Sequence, residues 1–184
     1  VVYNVEMLKQ TLNSSIDTLH FDEAWLPHAT FHEFYKNMHA IGRDRPRTKD
    51  AIIYATHSTH KLLAGISQAS QILVQESETK KLDRHAFNEA YLMHTSTSPQ
   101  YAIIASCDVA AAMMEPPGGT ALVEESILEA LDFRRAMRKV DAEWGKDWWF
   151  KVWGPEKIAA EGIGSREDWV LKANEKWHGF GDLA

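Results

Sequence analysis

Three short apolar runs in the first half of the chain predict β-strands. They are residues 18–21 (TLHF), 51–55 (AIIYA) and 71–75 (QILVQ), each rich in β-branched or aromatic side chains. Residues 3–13 precede the first run and predict a short helix. Polar and charged stretches at 42–50, 76–84 and 154–166 separate the later elements and indicate exposed connections.

Longer helical patterns dominate the second half. Helices are predicted at 85–93, at 101–114 and at 121–143, where Leu122, Ile127, Leu131, Met137 and Val140 recur at near-helical spacing. We expect Pro116-Pro117-Gly118-Gly119 to end the second of these helices. Residues 101–114 are mostly small and apolar, which suits tight packing between layers. A group of aromatic residues follows the last helix, and we expect it to lie in a core or an interface: Trp144, Trp148, Trp149, Phe150 and Trp153.

Composition places the chain among ordinary globular proteins. Of its 184 residues 45% are apolar and 25% charged, enough for one domain or a little more with a real core. The net charge of −6 argues against a nucleic-acid partner. Cys107 is the only cysteine, so a disulfide within the chain is impossible and a reducing compartment fits. No apolar run reaches membrane-spanning length and no signal-peptide pattern opens the sequence, so we expect a cytoplasmic protein without a membrane partner.

The most informative chemistry follows the second predicted strand. Thr56-His57-Ser58-Thr59-His60-Lys61 places hydroxyls and imidazoles before a lysine, and small apolar residues follow it. Apolar surroundings would lower the lysine pKa and make its amine nucleophilic, while the hydroxyls and backbone N–H groups could hold a phosphate. Together these groups suit a pyridoxal phosphate Schiff base. The competing interpretation is a solvated lysine beside a polar turn.

A longer pattern favours the cofactor. Thr56-x-Ser58-x-His60-Lys61-x-x-Ala64-Gly65-x-Ser67-Gln68-Ala69-Ser70 resembles the attachment signature of the bacterial ornithine/lysine/arginine decarboxylases at every specified position. The resemblance covers nearly the whole chain but only the middle of such an enzyme, and the first residue is Val1, so we expect a fragment. It implies an α/β fold, part of the large domain of an aspartate-aminotransferase-type (fold type I) enzyme with an incomplete sheet. Residues 1–119 would belong to that domain, and residues 120–184 to a connecting helix and the start of a C-terminal α+β region.

The resemblance also implies roles for individual residues. Lys61 would form the Schiff base, and Asp22 would pair with the pyridine nitrogen. The other implied cofactor contacts are Ala24 near the ring, Trp25 toward the ring oxygen, Ser58 and His60 at the phosphate or the reacting bonds, and Ser96 reaching the phosphate of a neighbouring subunit. Simpler interpretations remain open: Asp22 as a turn or N-cap residue, Trp25 as a core residue, and His60 as a spacer that positions Lys61.

These roles imply pyridoxal-phosphate-dependent decarboxylation of a basic amino acid by a homodimer or larger oligomer with a shared active site. Phe21 to Trp25, Ala55 to Leu63 and Asp132-Phe133-Arg134-x-Ala136-Met137 look closest to the biodegradative arginine decarboxylases. Lysine enzymes of the family more often differ at Glu23, Ala55 and His57. Arginine is therefore the favoured substrate, with lysine and ornithine next. The alternatives are an inactive cofactor-binding remnant, a regulatory or structural domain, and an aminotransferase. The residues implied to complete the site would precede Val1 and follow Ala184.

A metal site is weighed and not predicted. His28 and His32 are four residues apart, as two ligands on one helical face would be, but no third ligand cluster follows at a suitable spacing.

Overall fold

The computed structural model describes residues 5–35, 38–43 and 45–150, which form a mixed α/β unit. The strands are β1 (Thr18–Asp22), β2 (Ile52–His57) and β3 (Gln71–Gln75). The helices are α1 (Val5–Leu12), α2 (Thr59–Leu62), α3 (Arg84–His94), α4 (Tyr101–Met113) and α5 (Gly118–Trp144), and short 3-10 turns lie at Ala29–Phe31, Glu33–Tyr35 and Gly145–Asp147. The expected α/β class is confirmed.

The three strands form one sheet in the order β1-β2-β3. β1 and β2 are parallel, with Thr18 opposite Ile52 and Asp22 opposite Thr56. β2 and β3 are antiparallel, with His57 opposite Gln71. The carboxyl ends of β1 and β2 and the start of β3 therefore meet at one edge, which we call the ligand edge.

One face of the sheet is buried. Burial alternates along β2, so that Ile53, Ala55 and His57 point inward. The sheet core consists of Val5, Phe21, Ala40, Ala51, Ile53 and Ala55. β2 continues two residues beyond the predicted apolar run, because Thr56 and His57 still pair with β3.

A second core lies where α5 packs on the 3-10 turns. Its buried residues are Ala29, Phe34, Tyr35, Met38, Met114, Val123, Ile127 and Leu131. Val123, Ile127 and Leu131 follow one another at intervals of four, so they form one stripe of the helix. The domain boundary at residue 119 stays a prediction.

The glycine pair begins α5 instead of separating two helices. A Cβ atom on Gly119 would lie 2.5 Å from the carbonyl oxygen of Met114, and one on Gly118 would lie 2.8 Å from that of Met113. The end of α4 thus approaches the start of α5 too closely for any side chain. The prediction missed the first turn of this helix because it treated both glycines as part of the connection.

Two groups of apolar side chains are exposed within the described residues. α4 buries only Ser106 and Ala110, and Tyr101, Ile104 and Val109 are exposed. Trp144 and Trp149 are exposed too, so neither lies in a core of the described residues, and their place in an interface stays a prediction. Trp153 and the predicted loop at 154–166 lie outside the described residues.

Among the described residues, none of the helices combines the length and the apolar character needed to cross a bilayer.

Candidate functional site

The ligand edge collects the side chains that follow β1 and β2. Asp22 is the last residue of β1, and the backbone N–H of Glu23 donates to the Thr56 carbonyl oxygen at 3.0 Å, extending the pairing by one residue. Ligands of open α/β sheets bind outside the carboxyl ends of parallel strands. This edge is therefore the candidate site.

Lys61 lies on the short helix α2, immediately after β2. Its backbone N–H donates to the Ser58 carbonyl oxygen at 3.0 Å, which closes the Ser58–Lys61 turn. Ser58 is buried at the N-terminal boundary of the helix, and its side chain makes no capping hydrogen bond there. The turn presents the Lys61 side chain to solvent.

Residues 63–70, which we call the return loop, pack against the Ser58–Lys61 turn and hydrogen-bond it. The backbone N–H of His60 donates a hydrogen bond to the Ala69 carbonyl oxygen at 3.2 Å, and the His60 ring Nδ1 hydrogen-bonds the same oxygen at 2.8 Å. A Cβ atom on Gly65 would lie 3.2 Å from the backbone of Thr59, so a larger residue would crowd the turn. Gln68 adopts φ +79°, a conformation that costs free energy for a side-chain-bearing residue. The spaced Gly-x-x-Gln-Ala pattern thus has a structural reason.

Lys61 is not surrounded by apolar side chains, contrary to the expectation. The residue is exposed, as is the neighbouring Leu62. Its Nζ lies 4.9 Å from the ring centroid of Trp25, a cation–π distance. Trp25 is itself 65% exposed, so its interpretation as a core residue is wrong. The structure therefore brings the lysine and the tryptophan together at an open surface.

Asp22 stabilises a turn, as one of the two interpretations of this residue predicted, and it also lies at the ligand edge. Its Oδ1 accepts a hydrogen bond from the backbone N–H of Ala24 at 3.1 Å, which shapes the turn leading to Trp25. The residue is exposed. On the same face of the sheet, His20 Nε2 lies 2.6 Å from Thr56 Oγ1. Asp22 thus offers a carboxylate beside the turn that carries Lys61.

Ser96 belongs to a different segment from the other predicted site residues. It lies in the exposed loop 95–100 between α3 and α4. Its hydroxyl accepts from the backbone N–H of Ser98 at 3.1 Å, so the loop is locally ordered. A contact with a neighbouring subunit stays a prediction.

The histidine pair weighed as half a zinc site has structural contacts instead. His28 and His32 flank a 3-10 turn and do not share a helical face. His32 Nδ1 accepts from the backbone N–H of Phe34 at 3.0 Å. The His28 ring packs edge-on against Tyr35, and burial lowers the pKa of His28 to about 4, with a smaller contribution from His39.

Behind the ligand edge lies a buried polar cluster that the sequence analysis missed: Glu23, His39 and His57. Glu23 Oε2 lies 2.8 Å from His57 Nε2, and Glu23 Oε1 accepts from the backbone N–H of Ala40 at 2.6 Å. His39 packs against His57 with ring centroids 4.9 Å apart and hydrogen-bonds the Leu26 carbonyl oxygen through Nε2. Desolvation lowers the pKa of His39, which the negative charge of Glu23 partly opposes.

The cluster has the residue types of a metal site, and its ligand atoms lie within 4.8 Å of one another. Protein groups already bind both Glu23 oxygens and one nitrogen of each imidazole. The cluster is therefore better described as a hydrogen-bond network than as a cation site. Strand alternation could have revealed the Glu23–His57 part of this cluster. Phe21 on β1 and Glu23, which directly follows that strand, share a face with Ala55 and His57 on β2.

Comparison with known proteins decides the family. The family defined as "Orn/Lys/Arg decarboxylase, major domain" matches residues 1–184. The chain belongs to the Orn/Lys/Arg decarboxylase family. It is 53% identical over 183 residues to lysine decarboxylase LdcA of Pseudomonas aeruginosa, covering 99% of this chain and 24% of that protein. It is 40% identical over 200 residues to the biodegradative arginine decarboxylase of Escherichia coli, covering 100% of this chain and 26% of that protein.

Solved structures of Orn/Lys/Arg decarboxylases agree. Lysine decarboxylase A from Pseudomonas aeruginosa matches with a TM-score of 0.77 and 53% identity over 100% of this chain and 24% of that one. The constitutive lysine decarboxylase of E. coli matches with a TM-score of 0.71 and 39% identity, over 85% and 21%. The resemblance and the expected fold type I large-domain fragment are confirmed. The chain spans about a quarter of the length of these relatives.

The Orn/Lys/Arg decarboxylases are pyridoxal phosphate enzymes, and the residues at the ligand edge fit that cofactor. An exposed primary amine on Lys61 is available for an aldehyde, and the Asp22 carboxylate is available for a protonated ring nitrogen. Trp25 adds an exposed aromatic surface next to the amine. The donor set therefore suits the group that the family uses.

Proposed function

We propose that this chain carries the lysine-bearing part of the active site of a pyridoxal-phosphate-dependent decarboxylase that acts on a basic amino acid. The observation that carries the proposal is the exposed Lys61 amine, 4.9 Å from the Trp25 ring, at the sheet edge where Asp22 ends β1. Family membership over residues 1–184 supports it.

Each residue has a chemical task in this proposal. Lys61 would hold the cofactor through its amine, the group that an aldehyde needs for covalent attachment. When bound, the cofactor supplies an electron-poor ring that accepts the electron pair left behind as carbon dioxide departs. Asp22 would favour a protonated ring nitrogen through its negative charge.

His60 is constrained to present one nitrogen to a ligand. Its Nδ1 lies 2.8 Å from the Ala69 carbonyl oxygen, which can only accept, so Nδ1 carries the proton of that bond. Nε2 is then the atom available to the phosphate or to the reacting bonds. Ser58 and Ala24 contact the cofactor in the proposal, and Ser96 reaches it from a second subunit.

Reduction with borohydride tests the attachment site. Treatment of the cofactor-loaded full-length enzyme, followed by peptide mapping, is expected to place the pyridoxyl label on Lys61. The competing lysines have other surroundings: Lys80 pairs with Asp17, and Lys81 Nζ lies 3.1 Å from Glu76. A label on Lys49, Lys80 or Lys81 contradicts the proposal.

For the substrate we propose lysine first. Identity to a lysine decarboxylase is 53%, against 40% to an arginine decarboxylase. The expectation of arginine rested largely on Glu23, Ala55 and His57, and in the structure these residues are buried, with Glu23 and His57 bonded to each other. They are placed to pack, not to bind a guanidinium. Arginine and ornithine remain the competing substrates.

Product analysis distinguishes the substrates and the inactive alternative. The full-length enzyme is given lysine, arginine and ornithine in competition, and the amines formed are identified. Cadaverine as the main product supports lysine, whereas agmatine or putrescine contradicts it. Cofactor labelling of Lys61 without turnover of any of the three would instead support a non-catalytic remnant.

A further inference from the structure

We infer that the buried Glu23–His57 pair positions Asp22 and the Ser58–Lys61 turn, which makes Glu23 and His57 positioning residues for the cofactor site. The inference rests on the proposed function, because it assigns the pair a role in that site. The pair itself lies on the opposite side of the sheet from Asp22.

The pair joins the ends of the two parallel strands. Glu23 Oε2 and His57 Nε2 are 2.8 Å apart, and the Glu23 backbone N–H donates to the Thr56 carbonyl oxygen at 3.0 Å. Backbone and side chain of Glu23 thus both bind β2 where it ends. A shift of one strand end relative to the other would break both bonds.

Each member of the pair is covalently next to a proposed site residue. Glu23 lies between Asp22 and Ala24, and His57 precedes Ser58. Successive residues of an extended chain point to opposite faces, so burying Glu23 fixes Asp22 on the exposed face. A rotation of Glu23 would move the Asp22 carboxylate and the turn toward Trp25.

Further buried contacts hold the pair in place. Glu23 Oε1 accepts from Ala40 N–H at 2.6 Å, and the Ala40 carbonyl oxygen accepts from Lys9 Nζ at 3.1 Å. Lys9, Glu23, His39 and His57 are all buried. A carboxylate that is 2% exposed has no solvent to replace a lost partner, so its orientation depends on these bonds.

A purely stabilising pair would behave differently from a positioning pair. Its loss would lower the unfolding temperature, as loss of any buried side chain does, but it would leave the folded site unchanged. Leu131 provides the comparison, since it is buried in the second core between α5 and the 3-10 turns. Leu131→Ala is therefore the matched control.

Hydrogen exchange of the full-length protein without added cofactor tests the geometry. We expect Glu23→Leu, which removes both carboxylate oxygens, to speed exchange of the Ala24, Ala40 and Lys61 amides by about tenfold or more, because local opening becomes easier. Leu131→Ala should leave these three amides within about twofold of the wild type. The measurement is made at equal distance below each variant's unfolding temperature.

Cofactor binding tests the role in the site. We expect the Kd for pyridoxal phosphate to rise about tenfold or more in Glu23→Leu and in His57→Leu, a usual effect of removing a group that orients a ligand-binding residue. His57→Gln keeps a donor for the Glu23 carboxylate and should recover most of the affinity lost in His57→Leu. This substitution also gives a second route if Glu23→Leu fails to fold.

Unchanged exchange and unchanged affinity in Glu23→Leu and His57→Leu, relative to Leu131→Ala, would overturn the inference. The proposed function fails separately, when the wild-type protein itself forms no cofactor adduct at Lys61. In that case the exchange experiment still decides whether the pair holds the Ser58–Lys61 turn.

Discussion

Asp22 serves the local chain geometry and offers its charge at the same time. One carboxylate oxygen closes the turn to Ala24, and an asparagine could accept the same hydrogen bond through its amide oxygen. Substituting asparagine therefore removes the charge with little effect on the turn. This separates the role of Asp22 in the fold from its proposed role at the ring nitrogen.

We predict that Asp22→Asn in the full-length enzyme lowers kcat by about 100-fold or more, corresponding to about 3 kcal/mol or more. The unfolding temperature should change little, because the turn is retained. Asp22→Ala, which loses the turn as well, should lower both. Steady-state kinetics and thermal unfolding measure the two effects, and near-normal turnover of Asp22→Asn would show that another residue holds the ring nitrogen.

His28 makes the stability of the protein dependent on acid. Burial lowers its pKa from the usual 6.5 to about 4. Between pH 6.5 and about pH 4, His28 therefore binds a proton in the unfolded chain but stays neutral in the folded chain. The free energy of unfolding is therefore expected to fall as pH drops from about 6.5 to about 4, by at most about 1.4 kcal/mol per pH unit from this residue.

The His28→Phe variant tests this residue directly, since it keeps an aromatic ring against Tyr35 but cannot titrate. Urea unfolding midpoints at pH 7, 6 and 5 should decline less steeply in His28→Phe than in the wild type. His94→Phe, at an exposed position, should follow the wild-type curve. Parallel curves for His28→Phe and the wild type would rule out His28 as a source of the pH dependence.

At the scale of elements, the close approach of α4 and α5 depends on glycine. The Cβ atom of an alanine at 119 would lie 2.5 Å from a backbone oxygen, which cannot move as a flexible side chain would. We predict that Gly119→Ala lowers the free energy of unfolding by about 1–3 kcal/mol, the usual range for overpacking.

Gly42→Ala is the matched control for this substitution. Its Cβ atom would meet only the Arg45 Cγ atom at 3.4 Å, an ordinary contact with a flexible side chain. Denaturant unfolding should show a change smaller than about 1 kcal/mol for Gly42→Ala. Equal losses in both variants would mean that the helix approach tolerates a side chain at 119.

Local patterns predicted most of the elements, and contacts between distant segments account for what was missed. The strands β1, β2 and β3 and the helix α3 were found because apolar runs and polar connections are local signals. The Lys61 turn was located because its motif is contiguous. The Glu23–His57 bond joins residues 34 positions apart, and the sequence around either residue contains no pattern that indicates the other as its partner.

Over the whole molecule, apolar side chains remain uncovered on the described surface. They include Tyr91, Leu92 and Met93 on α3 and Tyr101, Ile104 and Val109 on α4. The sequence could not predict this exposure. An apolar helix face has the same pattern whether the surface that covers it belongs to this chain or to another. In the described residues β1 and β3 also form the open edges of the sheet.

We predict that the isolated 184-residue chain self-associates and shows no decarboxylase activity. Exposed apolar patches and open strand edges promote association, and the proposed site also needs Ser96 of a second subunit. Analytical ultracentrifugation and carbon dioxide release measure the two properties. Met93→Glu combined with Ile104→Glu should reduce association without restoring activity, and turnover by a monodisperse monomer would contradict the prediction.

The double hydrogen bond of His60 to Ala69 fixes the number of residues that can lie between them. After β2 the chain passes Lys61, and it must then bring the Ala69 carbonyl oxygen back to His60 before β3 begins. An insertion or a deletion anywhere in 61–68 would displace either the lysine or β3. Among natural variants this segment should therefore keep a constant length, whereas the exposed loop 95–100 can vary in length at lower cost.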